Sequence, residues 1–91
     1  MFARKVSLQL KPNSVAEFTR TIENDIIPLL RTQQGFQDEM TFVVPGGTEA
    51  MGISIWHQRE NAEAYHRGTY PAVLQALAHA TFHTISAGVA A

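Results

Sequence analysis

The run Phe36-Gln37-Asp38-Glu39-Met40-Thr41-Phe42-Val43-Val44-Pro45-Gly46-Gly47-Thr48-Glu49-Ala50-Met51-Gly52-Ile53-Ser54-Ile55-Trp56 decides the fold. From Phe36 to Val44, Phe36, Met40, Phe42 and Val44 take one parity, with Asp38 the exception. Gln37, Glu39, Thr41 and Val43 take the other. From Ala50 to Trp56, Met51, Ile53 and Ile55 point one way and Gly52, Ser54 and Trp56 the other. Successive side chains of a strand face opposite sides, so each run predicts a half-buried strand. Pro45-Gly46-Gly47-Thr48 is a turn, and a short loop between two strands makes a hairpin.

Working outward, Gly35 is a natural stop for a preceding helix, because helices often close on a left-handed residue. That helix has Val15, Phe18, Ile22, Ile26 and Leu29 on one stripe at spacings of three and four. Ser14-Val15-Ala16-Glu17 matches the capping-box pattern at its start. Pro28 lacks a backbone donor and should kink or loosen the last turns. Earlier still, Phe2 to Leu10 alternates, with Val6, Leu8 and Leu10 on one face, and reads as a strand. Downstream, Gln58 to His66 reads as a short helix broken by Gly68. Thr69-Tyr70-Pro71 restarts it, with Thr69 able to cap and Val73, Leu74 and Leu77 as its buried stripe. Thr81 to Val89 can make a last strand. The order β-α-β-β-α-β predicts a ferredoxin-like α+β domain over residues 1–91, with an antiparallel sheet and both helices on one face.

Composition narrows the function classes. The chain is 45% hydrophobic and 16% charged, an ordinary globular balance. A net charge of −1 argues against nucleic acid, since phosphate binding needs a basic surplus. With no cysteine, disulfides, thiolate metal sites and a Cys nucleophile are excluded. No apolar run approaches the roughly 20 residues that span a bilayer. The first residues lead into an alternating segment rather than an apolar signal core, so a cytoplasmic protein is expected.

With helices on one side, alternation leaves Ser7, Gln9, Thr41, Val43, Ser54 and Trp56 for the open sheet face, with Lys5 and Glu39 as possible cross-sheet partners. A fully solvated face carries more charge than this. A homodimer through the open face is therefore expected, two-fold pairing being the commonest closed assembly.

Gly35-Phe36-Gln37 entering a strand, Ile55-Trp56 ending the next, Glu60-Asn61-Ala62-Glu63-Ala64-Tyr65, and Tyr70-Pro71-Ala72-Val73-Leu74 together resemble the antibiotic biosynthesis monooxygenase family. The resemblance covers nearly the whole chain and is most specific from Ile53 to Leu77. It implies a dimeric α+β barrel, a ferredoxin-like dimer whose sheets face each other. Members of that family variously oxidise phenolic polyketides with molecular oxygen and no metal or flavin, cleave haem, or isomerise small signal molecules; others have no known reaction. The haem-cleaving branch requires an Asn in the first strand, a Trp ending the first short helix and a His in the next as iron ligand. Here those places hold Val6 or Ser7, Tyr65 and Gln75, and an amide does not replace imidazole on haem iron. No cofactor is expected.

For the oxidising branch the resemblance implies an apolar pocket near Trp56, Tyr65 and His66 for a small aromatic ligand, a phenol or quinol. Tyr65 would donate to a developing oxyanion, and His83, with His57 and His66 as other candidates, would serve as base. Each residue also has a plain structural reading. Trp56 and Tyr65 suit a core, His57 a helix start, and His83 an interface. His79 and His83 are four apart without the intervening Glu of a metal-binding helix motif, so no metal is expected. Two functions follow: a cofactor-independent monooxygenase acting on a small aromatic, or a non-catalytic, small-molecule-binding or stress-associated dimer. A cavity of roughly 300 Å³ or more beside Trp56 favours the first.

Overall fold

The computed structural model describes residues 1–90, with side chains through Phe82. The elements run β1 (Phe2–Leu10), α1 (Val15–Thr21), a π-helical turn (Ile22–Ile26), α2 (Ile27–Arg31), β2 (Phe36–Val43), β3 (Glu49–Trp56), α3 (Arg59–Gly68), α4 (Tyr70–Leu77) and β4 (Thr81–Ala90). The strands form one sheet in the order β2-β3-β1-β4, every neighbouring pair antiparallel. This is the ferredoxin-like α+β fold the element order predicts. Its core joins Phe2, Val6, Leu8, Leu10, Ala50 and Trp56 of the sheet to Phe18, Ile26, Leu30, Tyr65, Val73 and Leu77 of the helices. Among the described residues, no helix is long and apolar enough to cross a membrane.

Local chemistry explains the breaks in the helices. Pro28 has no N–H to return to the carbonyl four residues back. The turn before it widens, and the Ile27 N–H reaches back five residues to the Ile22 carbonyl. The helix bends through this π-helical turn and continues to Arg31. Ser14 does not form the expected capping box. Its φ of −107° and ψ of 5° lie outside the extended geometry that aims a cap hydroxyl into the first turn. The hydroxyl donates instead to the Pro12 carbonyl at 3.4 Å. The reciprocal cap sits on α3, where Asn61 Oδ1 accepts from the Gln58 N–H at 3.1 Å. That makes Gln58, not His57, the start of the helix. Thr69 marks the α3–α4 junction, yet its hydroxyl caps nothing and donates to Gln33 Oε1 at 3.0 Å.

The faces of the hairpin are the reverse of the expectation. Residues directly opposite each other on antiparallel strands point to the same side. Register pairs Phe2 with Trp56, Arg4 with Ser54, Val6 with Gly52 and Leu8 with Ala50. The buried parity of β1 therefore carries Ala50, Gly52, Ser54 and Trp56 to the helix side. On β2 a register shift between Phe36 and Asp38 lets both Phe36 and Glu39 turn inward, followed by Thr41 and Val43. The open face receives Met40, Phe42, Met51, Ile53 and Ile55. It is more apolar than alternation alone suggested: Phe42 is 53% exposed, and Met40, Val44 and Phe82 are also exposed.

Candidate active site

On the helix side the sheet presents four cross-strand rows. Phe36, Trp56 and Phe2 form the first; Glu39, Ser54 and Arg4 the second; Thr41, Gly52 and Val6 the third; Val43, Ala50 and Leu8 the last. Strands lie about 4.8 Å apart, so Glu39 and Arg4 leave their backbones roughly 10 Å from each other, with only a serine between them. In the adjoining row Gly52 contributes no side chain. A Cβ built there would lie 3.7 Å from Glu39 Oε1, so the carboxylate reaches over the gap. The result is a cavity of about 60 Å³ between sheet and helices. Arg4, Glu39, Thr41, Ser54, Tyr65 and Tyr70 are the polar residues on its walls, and Val6, Phe18, Ile22, Ile26, Leu30, Val73 and Leu77 line the apolar parts. Outside it, a cleft of about 260 Å³ runs between the first helix and β2 and shares Phe18, Ile22, Glu39 and Thr41 with the cavity. A second of about 330 Å³ continues past Arg31 and Phe36. At about 60 Å³ this cavity is smaller than the roughly 300 Å³ expected of an enzyme pocket; the two neighbouring clefts, at about 260 and 330 Å³, reach that range, and Trp56 lines neither.

Each polar group has a specific setting. Arg4 is 3% exposed. Its Nη2 donates to His66 Nδ1 at 2.8 Å, so that nitrogen carries the lone pair. The guanidinium carbon lies 4.0 Å from the Tyr70 ring centre and 5.3 Å from that of Tyr65. Trp56 Nε1–H donates to Ser54 Oγ at 2.9 Å, which satisfies the indole in a core where it is 0% exposed. Thr41 donates to Glu39 Oε1. Burial raises the Glu39 carboxyl above its usual pKa of 4.5; the Thr41 hydrogen bond opposes the rise and the Asp38 charge adds to it. Burial pushes the Tyr65 phenol up to about 12, against the pull of the Arg4 charge. Tyr65 therefore stays protonated at neutral pH and is a donor, not a base.

The expected site residues fall as follows. Tyr65 lines the cavity. Trp56 does not; it stands behind the wall, with its ring 5.1 Å from Tyr65 and edge-on to Phe36 at 5.6 Å. His66 is exposed, stacks on Tyr70 at 5.4 Å and is hydrogen-bonded to Arg4, both of which line the cavity. His57 is exposed. The His83 side chain lies outside the described residues. His79 contacts Thr21 at 3.2 Å and Glu17 at 3.6 Å, away from the cavity. Among the described residues no three of His, Asp and Glu gather as metal ligands.

Sequence reasoning missed Arg4, Glu39, Ser54 and Thr41. Arg4 had a readable signal, because it shares the parity of Phe2, Val6, Leu8 and Leu10 and must point into the core if they do. The other three depended on the face of the hairpin.

No protein-family model matches the chain, and no curated protein matches it in sequence. Solved structures do match in shape. A Bordetella bronchiseptica protein assigned to the antibiotic biosynthesis monooxygenases superposes with a TM-score of 0.81 at 10% identity, over 99% of this chain and 94% of that one. The ActVA-Orf6 monooxygenase of Streptomyces coelicolor, solved with Nanaomycin D, gives 0.78 at 13% identity over 97% and 83%. SnoaB, a cofactor-independent oxygenase from Streptomyces nogalater, gives 0.77 at 13% identity over 99% and 90%. The chain has the fold of the antibiotic biosynthesis monooxygenases.

Proposed function

We propose that this chain is a cofactor-independent oxygenase of the antibiotic biosynthesis monooxygenase kind, acting on a small phenol or quinol. The observation that carries the reading is the pairing, on one apolar-walled cavity, of a carboxyl with raised pKa and a phenol that stays protonated. The bulk of the substrate lies in the cleft beside β2, and its reacting end enters the inner cavity. Glu39 takes a proton from an activated ring methylene, and the Tyr65 hydroxyl holds the oxyanion that forms. The carbanion gives its electrons to molecular oxygen, a C–O bond forms and the peroxide is protonated. Loss of water then leaves a carbonyl, so that CH2 and O2 become C=O and H2O. Oxygen is both oxidant and oxygen source. A positioned base contributes about 10²–10⁴-fold and an oxyanion donor about 10²–10³-fold. Trp56 backs Tyr65 from behind the cavity wall, His66 holds Arg4 from outside, and His83 is the second candidate base.

Oxygen uptake and product mass with a panel of phenols and quinols test the reading. Glu39→Gln and Tyr65→Phe are each expected to cut turnover by about 10²-fold, and His83→Gln separates the two bases. Turnover unchanged in Tyr65→Phe and Trp56→Ala removes the assigned roles; no uptake with any of the panel removes the activity. The small volume of the cavity supports a second reading, a non-catalytic binder of small molecules, which predicts saturable binding without oxygen uptake.

A second copy of the chain covers the helix-free face in this proposal. The support is that Met40 and Phe42 of β2 and Val44 just beyond it are exposed, with Met51 and Ile53 of β3 paired beside them, since contiguous apolar surface usually marks a partner. Light scattering at micromolar concentration is expected to give twice the 10.1 kDa chain mass; a single-chain mass ends the dimer proposal.

A further inference from the structure

Arg4 is a buried cation that forms no ion pair among the described residues. Among the described residues no carboxylate lies within ion-pair distance of it, and its guanidinium makes a single hydrogen bond, to His66 Nδ1. Yet among the described residues no interior side-chain nitrogen is sealed off without a partner. Arg4 lines the cavity, so guanidinium N–H groups not engaged by His66 are within reach of a ligand bound there. A desolvated charge is costly unless something of opposite sign meets it. Two tyrosine faces soften that cost but do not neutralise the charge. A forked guanidinium with free donors matches a planar carboxylate.

We propose that the Arg4 end of the cavity is a carboxylate subsite, and that the ligand of this protein carries a compact carboxylate group. The inference rests on reading this cavity as the ligand site. Three observations support it together. The cavity volume of about 60 Å³ admits only a few heavy atoms, as a carboxylate on a short stem requires. Its other walls are mostly apolar, so Arg4 is the feature that selects charge. Glu39 stands at the far end of the same row, with Ser54 between. The anion is therefore held at the Arg4 end and kept from the Glu39 end by like charge. The resulting substrate is a phenolic or enolic acid oriented with its carboxylate on Arg4 and its reacting carbon toward Glu39.

The probe is acetate, with acetamide as its neutral twin. The Trp56 indole N–H resonance serves as reporter, since its acceptor Ser54 is the cross-strand neighbour of Arg4. At constant ionic strength, acetate should give a saturable shift and acetamide none. Arg4→Met should weaken acetate binding about tenfold or more, the worth of a hydrogen-bonded charge. Glu39→Gln should tighten it. Equal responses to acetate and acetamide, or unchanged affinity in Arg4→Met, overturn the proposal. Should Arg4→Met fail to fold, Glu39→Gln decides: no tightening there also overturns it. The titration needs no oxygen. Loss of oxygen uptake with acetate binding intact sinks the oxygenase reading alone, and uptake without acetate binding sinks only the carboxylate subsite.

Discussion

Trp56 is held by one hydrogen bond to the Ser54 hydroxyl, and at zero exposure water cannot replace that partner. Ser54→Ala should cost about 1–3 kcal/mol, the penalty for an orphaned buried donor. Trp56→Phe removes the donor as well, so the double variant should lose less than the sum of the singles. A denaturation cycle over the four proteins measures this, and strict additivity would show that the bond contributes nothing. Glu39 gives a prediction of the opposite sign. Its folded-state pKa is raised, so its protonated form is favoured by folding. That contribution is complete below the ordinary value of 4.5 and is lost as pH rises through the folded value. Glu39→Gln should therefore be more stable than the parent at neutral pH, with the gap closing below about pH 4.5. Thermal unfolding across pH 4 to 8 checks this, and a gap that widens in acid contradicts it.

At the scale of elements, periodicity gave the right strands and helices, and it misassigned the two faces of the hairpin. Met40, Phe42, Met51, Ile53 and Ile55 are more apolar than Glu39, Thr41, Gly52 and Ser54, so hydrophobicity alone turns them inward. Both parities contain apolar residues, and register with β1 decides the face. That register is a non-local fact, and Gln37 adds a bulge that shifts parity within one strand. The candidate cavity was legible at Tyr65, which lines it; Trp56, read with it, stands behind the wall. The cavity was illegible where it depended on pairing, at Glu39 and Ser54. Ser14 misled for another reason: the tetrapeptide pattern was present, but the chain enters the helix at an angle that turns its hydroxyl toward Pro12. Gly52 tests the row description. Its added Cβ meets nothing closer than 3.7 Å, and a β-branched residue suits a strand by up to about 1 kcal/mol. Gly52→Val should keep or raise stability while filling the cavity and abolishing ligand binding. A variant that binds normally shows that the gap above Gly52 is not the site.

For the molecule as a whole, one layer of helices on a four-stranded sheet leaves two faces with different tasks. The helix side holds the cavity, and the other carries the exposed apolar set around Phe42. In the proposed dimer, Phe42→Lys should disperse the pair to single chains without touching the cavity residues, and sedimentation reads the change. Persistence of a dimer in that variant would move the contact elsewhere. The clefts leading to Glu39 open along β2, the outer strand of the sheet. That doorway lies on the rim of the molecule and not on the face two copies would share. Twin chains would each keep a private entrance, fill at one ligand apiece and saturate along a simple hyperbola, neither half sensing whether the other is occupied.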